Sequence, residues 1–314
     1  MTQEILDSEG AYAAARLVPA AIRATLDVAR RSGVPDDLDL GAVVLAASAR
    51  SKLTATTVAA IATTAVARPV VSFVDERLPV WVGPSTLVVA LDAGVAERLV
   101  TDTTVAGVPI IAVGGAVHDR PAPIVEAAAA LAALDQFGLA PGLIADMEAA
   151  CDLLDARLAE LAASPSPADR LAKRIGRTMS LVYGGGAVGA AAAASWKHSI
   201  NRNAKAPAFA NSVPGLDHDE VCGWAQHGDV TRQVFTLAVL RHGFETSDQA
   251  HRLDVTAETC DEIVAGVHPV TSGATTAVGA LFDLMLYGEL VSLEMAARAD
   301  IDPGPTPITS RYTD

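Results

Sequence analysis

Along the first half of the chain, short continuous apolar runs alternate with longer stretches whose apolar positions recur at helical spacing. The runs are GAVVLAA (41–47), PVVSFV (69–74), TLVVAL (86–91) and VPIIAVG (108–114), each bounded by Gly, Pro or Asp. Residues 11–32 and 52–66 have helical spacing; in the first, Leu17, Ala21, Leu26 and Val28 lie near one face and arginines elsewhere. Unbroken apolar strands separated by helices predict a parallel sheet covered on both faces. Right-handed crossovers then make it a doubly wound α/β sandwich.

The second half repeats the alternation. TMSLVYG (178–184), VFTLAVLR (234–241) and GVHPV (266–270) are expected strands, while 187–205, 246–264 and 274–298 are expected helices. Two further helices, 124–137 and 143–163, are separated by Ala140-Pro141-Gly142. The stretch SPSPAD (164–169) resembles a linker: Pro165 and Pro167 break a helix, and Ser166 or Asp169 caps the next one. The boundary is expected near 140–165, dividing the chain into domains 1–150 and 151–314. The two halves are similar in pattern, yet no sequence repeat proves a duplication.

Composition sharpens this picture. A length of 314 residues suits about two domains, and 51% apolar residues supply real cores. The net charge of −14 argues against a nucleic-acid partner, although a small phosphorylated metabolite depends on local groups instead. Cys151, Cys222 and Cys260 are far apart, with no CxxC spacing, which excludes a disulfide scaffold or zinc ribbon. The start MTQEILDSEG is acidic rather than signal-like, and no apolar stretch reaches 18 residues without a charge. A cytoplasmic chain without a membrane partner is expected.

Four segments carry candidate chemistry. GGGAVG (184–189) follows a strand and opens a helix, a context that suits an anion but lacks a nucleotide-loop spacing. Gly114-Gly115 with His118, Asp119 and Arg120 follows another strand, where Arg120 would hold a phosphate bidentately. His218, Asp219 and Glu220 form a polar run, but the other histidines show no HxH or HExxH spacing, so no metal is expected. The stretch SWKHSINRNAKAPAFANSVPGLDHDEVCGW (195–224) packs Trp, Lys, Asn, Arg and His into a helix followed by a loop.

That stretch resembles the bifunctional phosphoglucose/phosphomannose isomerases of the sugar isomerase (SIS) superfamily. The resemblance rests on Trp196, Lys197, Asn201, Asn203, Ala204, Lys205, Phe209, Pro214, His218, Glu220, Gly223 and Trp224, with a second match in YGELVSLEMAARADIDPGP (287–305) and a further family-like residue in Arg252. It implies two SIS-type three-layer sandwiches in a homodimer, acting without cofactor on glucose 6-phosphate or mannose 6-phosphate to give fructose 6-phosphate. The reaction opens the ring and moves a proton between C1 and C2. By resemblance, His218 is the ring-opening histidine and stands near the subunit interface, while Arg120 is the active-site arginine.

The departures concern the chemistry itself. The proton-carrying glutamate of the family is replaced by Arg202, between Asn201 and Asn203. A guanidinium stays protonated and has no acceptor lone pair, so it cannot take the glutamate's part. The family's first phosphate loop reads AASARS (46–51), leaving Ser48 and Ser51; its second reads LDAGVAE (91–97), with Asp92 where an anion belongs. The C-terminal lysine is missing, with Arg311 as stand-in. Substrate-binding candidates are thus Arg120, Ser48, Ser51, Asn201, Lys205 and Arg311. The expectation is a sugar-phosphate or similar polar ligand with lost or strongly reduced isomerisation. The alternative is an active isomerase whose base has moved to Glu220 or Asp219.

Overall fold

The computed structural model of the chain describes residues 6–31, 39–74, 77–103, 107–113, 122–160, 165–224, 226–306 and 308. It divides into two compact units, Val18–Asp152 and a second comprising Leu153–Asp314 with Met1–Leu17. A cut by chain order at 150 would leave residues 1–17 in the first unit. Their described contacts place them with the second: Ser8 N donates to Asp302 Oδ1 (3.2 Å) and Tyr12 Oη to the Leu293 carbonyl (2.8 Å).

The first unit contains strands β1 (Ala42–Ala47), β2 (Val70–Val74), β3 (Thr86–Ala90) and β4 (Ile110–Ala112). Its helices are α2 (Lys52–Ala65), α3 (Ala93–Thr103) and α4 (Pro123–Gln136). Helices α1 (Ala11–Arg31) and α5 (Leu143–Ala159) each pass from one unit into the other. The strands are all parallel, in the order β2-β1-β3-β4. Every residue of β3 and all but the first of β1 are buried, as continuous apolar runs require, whereas edge strand β2 is exposed or half-buried throughout. In α1 the buried face is Ala15, Val18, Ala21, Ile22 and Leu26; Leu17 and Val28, assigned to that face from spacing, are exposed.

The second unit contains α6 (Pro167–Ile175), β5 (Met179–Gly185), α7 (Gly186–Ser199), β6 (Ala208–Val213), α8 (Glu220–Gly223), α9 (Gly228–Val234), β7 (Phe235–Arg241), α10 (Ser247–Asp261), β8 (Val267–Thr271) and α11 (Ala277–Arg298). Its parallel order, β6-β5-β7-β8, repeats that of the first sheet. Ser166 caps α6, its hydroxyl accepting from Asp169 N at 3.0 Å.

Two expectations are corrected here. The helix drawn through 187–205 ends at Ser199 and continues as one π-turn, Ile200–Ala204, closed by Lys205 in the left-handed region (φ 53°). The segment after it, read as loop, is edge strand β6, buried only at Ala208 and Val213. Its polar side chains obscure the strand in the sequence because an edge needs little apolar surface.

The core of the second unit is built around α11, apolar nearly all round and buried from Val278 to Gly288. Trp196 of α7 is fully buried, and its indole N–H donates to the Leu284 carbonyl at 2.7 Å. The ring lies over Gly288, where an added Cβ would stand 2.4 Å from Trp196 Cδ1. Asn203 Nδ2, also fully buried, donates to Ser292 Oγ (2.8 Å), and Ser199 Oγ to Glu289 Oε2 (2.6 Å). Arg157 of α5 makes a two-point bond to buried Asp283 of α11, at 2.8 and 2.9 Å.

Gly288→Ala should therefore destabilise the protein by about 2 kcal/mol despite alanine's higher helix propensity, because the tethered indole cannot withdraw. Urea unfolding of the variant checks this; an unchanged midpoint would contradict the close approach.

Candidate functional site

In a sheet of this order the chain leaves the two innermost strands in opposite directions, opening a crevice at their carboxyl ends. In the first unit those strands are β1 and β3. The segment after β1 carries Ser48 and Ser51, and the segment after β3 carries Asp92. The Asp92 carboxylate fills the crevice. Its Oδ2 accepts from Ser51 Oγ (2.7 Å) and Ser48 N (3.3 Å), and its Oδ1 from Val95 N (2.8 Å). Ser48 N also donates to Ser51 Oγ at 2.9 Å. Burial opposes the charge on Asp92, but the bonds from Ser51, Val95 and Ser48 outweigh it and hold the carboxyl below its ordinary range. Nearby, Thr54 Oγ1 donates to Glu126 Oε2 at 2.6 Å. Burial raises the Glu126 carboxyl, with the Thr54 bond opposing and the Asp92 charge adding to the rise.

In the second unit the innermost strands are β5 and β7, and their crevice is also filled from within. Buried His242, just after β7, lies with Nε2 3.1 Å from the Gly185 carbonyl, while its Nδ1 accepts from Phe244 N at 3.2 Å. These partners assign the proton to Nε2. Gly186 has φ +62°, and a Cβ there would stand 3.0 Å from the Gln249 amide. The glycine-rich turn thus packs against the start of α10. The polar run at 217–220 lies on a short 3₁₀ turn (Gly215–His218) and the start of α8. His218 is exposed. Half-buried Glu220 accepts from Tyr183 Oη (2.7 Å) at one oxygen and Asn211 Nδ2 (2.6 Å) at the other. Burial first, then the hydrogen bond to Glu220 and its charge, push the Tyr183 phenol far above its ordinary range, so it stays a donor.

Residues 165–314 match the family model of the bacterial phosphoglucose isomerase C-terminal SIS domain. A bifunctional phosphoglucose/phosphomannose isomerase of Caldicellulosiruptor bescii is 27% identical over 154 residues, which are 49% of this chain and 45% of that protein. Residues 165–314 thus form a SIS domain of the bacterial phosphoglucose isomerase type. The SIS fold also extends over the first half. A Clostridium difficile structure, provisionally named a phosphosugar isomerase, superposes with TM-score 0.71 at 11% identity, covering 95% of this chain and 96% of that one. The C-terminal domain of glucosamine-fructose-6-phosphate aminotransferase from Francisella tularensis gives 0.65 at 12% identity, covering 92% and 96%. The matched stretch spans less than half the length of the curated relative, and likenesses at such low identity establish the fold alone.

Within this SIS protein the residues singled out from sequence fall into three groups. Ser48 and Ser51 meet at the first crevice, both bonded to Asp92. Arg202, Asn201 and Lys205 lie on or beside the π-turn. There Asn201 Oδ1 accepts from Ala208 N (2.9 Å), fixing the start of β6, and Lys205 Nζ donates to the carbonyls of Arg202 and of Pro303 (3.3 Å). His218 and Glu220 lie on the following turn and helix, which Arg252 braces through Asp217 at 2.6 Å. Arg120, with His118, Asp119 and the pair Gly114-Gly115, and Arg311 lie outside the described residues. Sequence reasoning missed Tyr183, Asn211, Glu126 and His242. The available signals were the position of His242 just after an apolar strand and that of Asn211 within the polar stretch 195–224.

Burial holds the His242 imidazole below its ordinary 6.5, with the Gly185 bond opposing. The unfolded chain therefore binds a proton near that pH that the fold refuses, and stability should fall as the pH drops through about 6.5. His242→Gln should flatten this slope in denaturant midpoints between neutral pH and pH about 5. His268, also lowered by burial and then by Arg174, will retain its own share.

Proposed function

We propose that this SIS protein has lost aldose–ketose isomerisation and retains its fold to bind a polyhydroxylated, sugar-derived ligand. One observation supports the reading: the position where the resemblance expects a proton acceptor holds Arg202, and its neighbours serve the fold. Asn201 is bonded to the β6 backbone and Asn203 to Ser292. An enediol step requires a group that takes a proton from one carbon and returns it to the next. A guanidinium has no lone pair with which to do so. Of the two alternative bases, Glu220 has both oxygens bonded within its own unit, to Tyr183 and Asn211, and Asp219 caps the next helix through the Glu220 amide. Using Glu220 as a base would forfeit part of two charge-assisted bonds, each worth about 1.5–3 kcal/mol.

The reading includes a homodimer with His218 near its interface, a cytoplasmic location, and neither metal nor organic cofactor. Among the described residues there is no group of three or more His, Cys, Asp or Glu side chains placed to hold a metal. No helix among them is long and apolar enough to cross a membrane.

Incubation with fructose 6-phosphate tests the reading directly. Aldose formation should be absent, or slower by about 10²–10⁴ than with a positioned base. Turnover at ordinary enzyme rates, about 1–10³ per second, would overturn it. Loss of that turnover in Glu220→Gln would then assign the base to Glu220. Arg202→Glu in an otherwise inactive chain should raise the rate, since it restores an acceptor at the same backbone position.

A further inference from the structure

The first-unit crevice has the parts of an oxyanion site. Ser48 N–H, Ser51 Oγ–H and Val95 N–H converge from the starts of α2 and α3, helices of 14 and 11 residues. Backbone N–H groups and the dipoles at two such termini favour negative charge. The strand order makes this crevice the place where a sheet of this kind exposes a ligand.

A negative group is already there, and it belongs to the chain. Asp92 spans the gap: one oxygen caps α3 through Val95, and the other takes the Ser51 hydroxyl and shares the Ser48 amide. Ser51 caps α2 by position yet makes no side-chain bond to that helix; its proton goes to Asp92. A phosphate entering here would have to displace these bonds and sit against a fixed carboxylate, with Glu126 adding like charge close by. Among the described residues Arg50 acts on Glu126 as an opposite charge, and its own amide donates to Ser48 Oγ at 3.2 Å.

We propose that Asp92 is a built-in anion that closes this cradle to phosphate, so that the ligand of this SIS protein presents no phosphoryl group to the first sheet. This narrows the ligand class of the reading above and rests on that reading only for the ligand's sugar-like character. Closure of the cradle stands on the geometry alone.

Removing the carboxylate should convert the cradle into a phosphate site. The full chain, Asp92→Ser and Asp92→Ser/Ser51→Ala are titrated with inorganic phosphate and followed by calorimetry, with circular dichroism confirming the fold. Asp92→Ser keeps a hydroxyl to cap α3 and should gain saturable phosphate binding, at least roughly tenfold tighter than anything the unaltered chain shows. The added Ser51→Ala should remove that gain. A folded Asp92→Ser with no gain overturns the proposal, as does phosphate binding by the unaltered chain that Ser51→Ala alone abolishes. If Asp92→Ser does not fold, Asp92→Asn keeps the cap and discards only the charge. A gain there supports closure by charge, and a folded Asn variant as indifferent as the unaltered chain rejects it. Because this titration involves no turnover, its failure leaves the loss of isomerisation untouched, and activity on fructose 6-phosphate would leave a positive phosphate result standing.

Discussion

The seating of Trp196 over Gly288 organises the second unit. A large aromatic ring is fully buried against a helix backbone, which is possible only because residue 288 has no side chain. The indole N–H is satisfied by a carbonyl of the same helix, so the ring is fixed in position as well as in depth. From this contact the chain runs directly into the π-turn. Asn203 repeats the arrangement about two turns further on, reaching Ser292 in a fully buried bond. The wider turn aims Asn201 at the amide that begins β6. A helix–helix contact thus sets the register of an edge strand, and through it the place of Asn211 beside Glu220.

That linkage explains why the stretches at 195–224 and 287–305 occur together. Far apart in the chain, they meet in space: Trp196 lies over Gly288, and Ser199, Asn203 and Lys205 bond Glu289, Ser292 and Pro303 in turn. Most of what makes them recognisable is packing and hydrogen bonding between α7, its π-turn and α11. None of these bonds uses the side chain of residue 202, so they hold whatever side chain stands there. Fold and chemistry are separable here for a stated reason.

The two sheets share one strand order, and each fills its own crevice with one of its own side chains. In the first unit the filler is a carboxylate held by hydroxyl and amide donors; in the second it is a neutral imidazole between a carbonyl and an amide. Both fillers follow directly after an innermost strand. Both satisfy backbone groups that would otherwise need water or a ligand, so the same topology yields two internally completed ends.

Much of the architecture was legible in the sequence. Continuous apolar runs such as TLVVAL are explicable only as strands buried on both faces, and the Pro and Ser of SPSPAD specify a helix start through ring geometry and a capping hydroxyl. Strand β6 was not legible, because an edge strand carrying Asn and Ser lacks the apolar signal, nor was the π-turn, whose residues are ordinary helix formers up to Asn201. At the candidate site the sequence alone established that position 202 is a guanidinium, since residue type decides whether a lone pair exists. It also placed Asp92 just after a central strand. Only the tertiary structure decided what Asp92 does there, because its partners come from two loops joined by adjacent parallel strands, a proximity that chain order conceals.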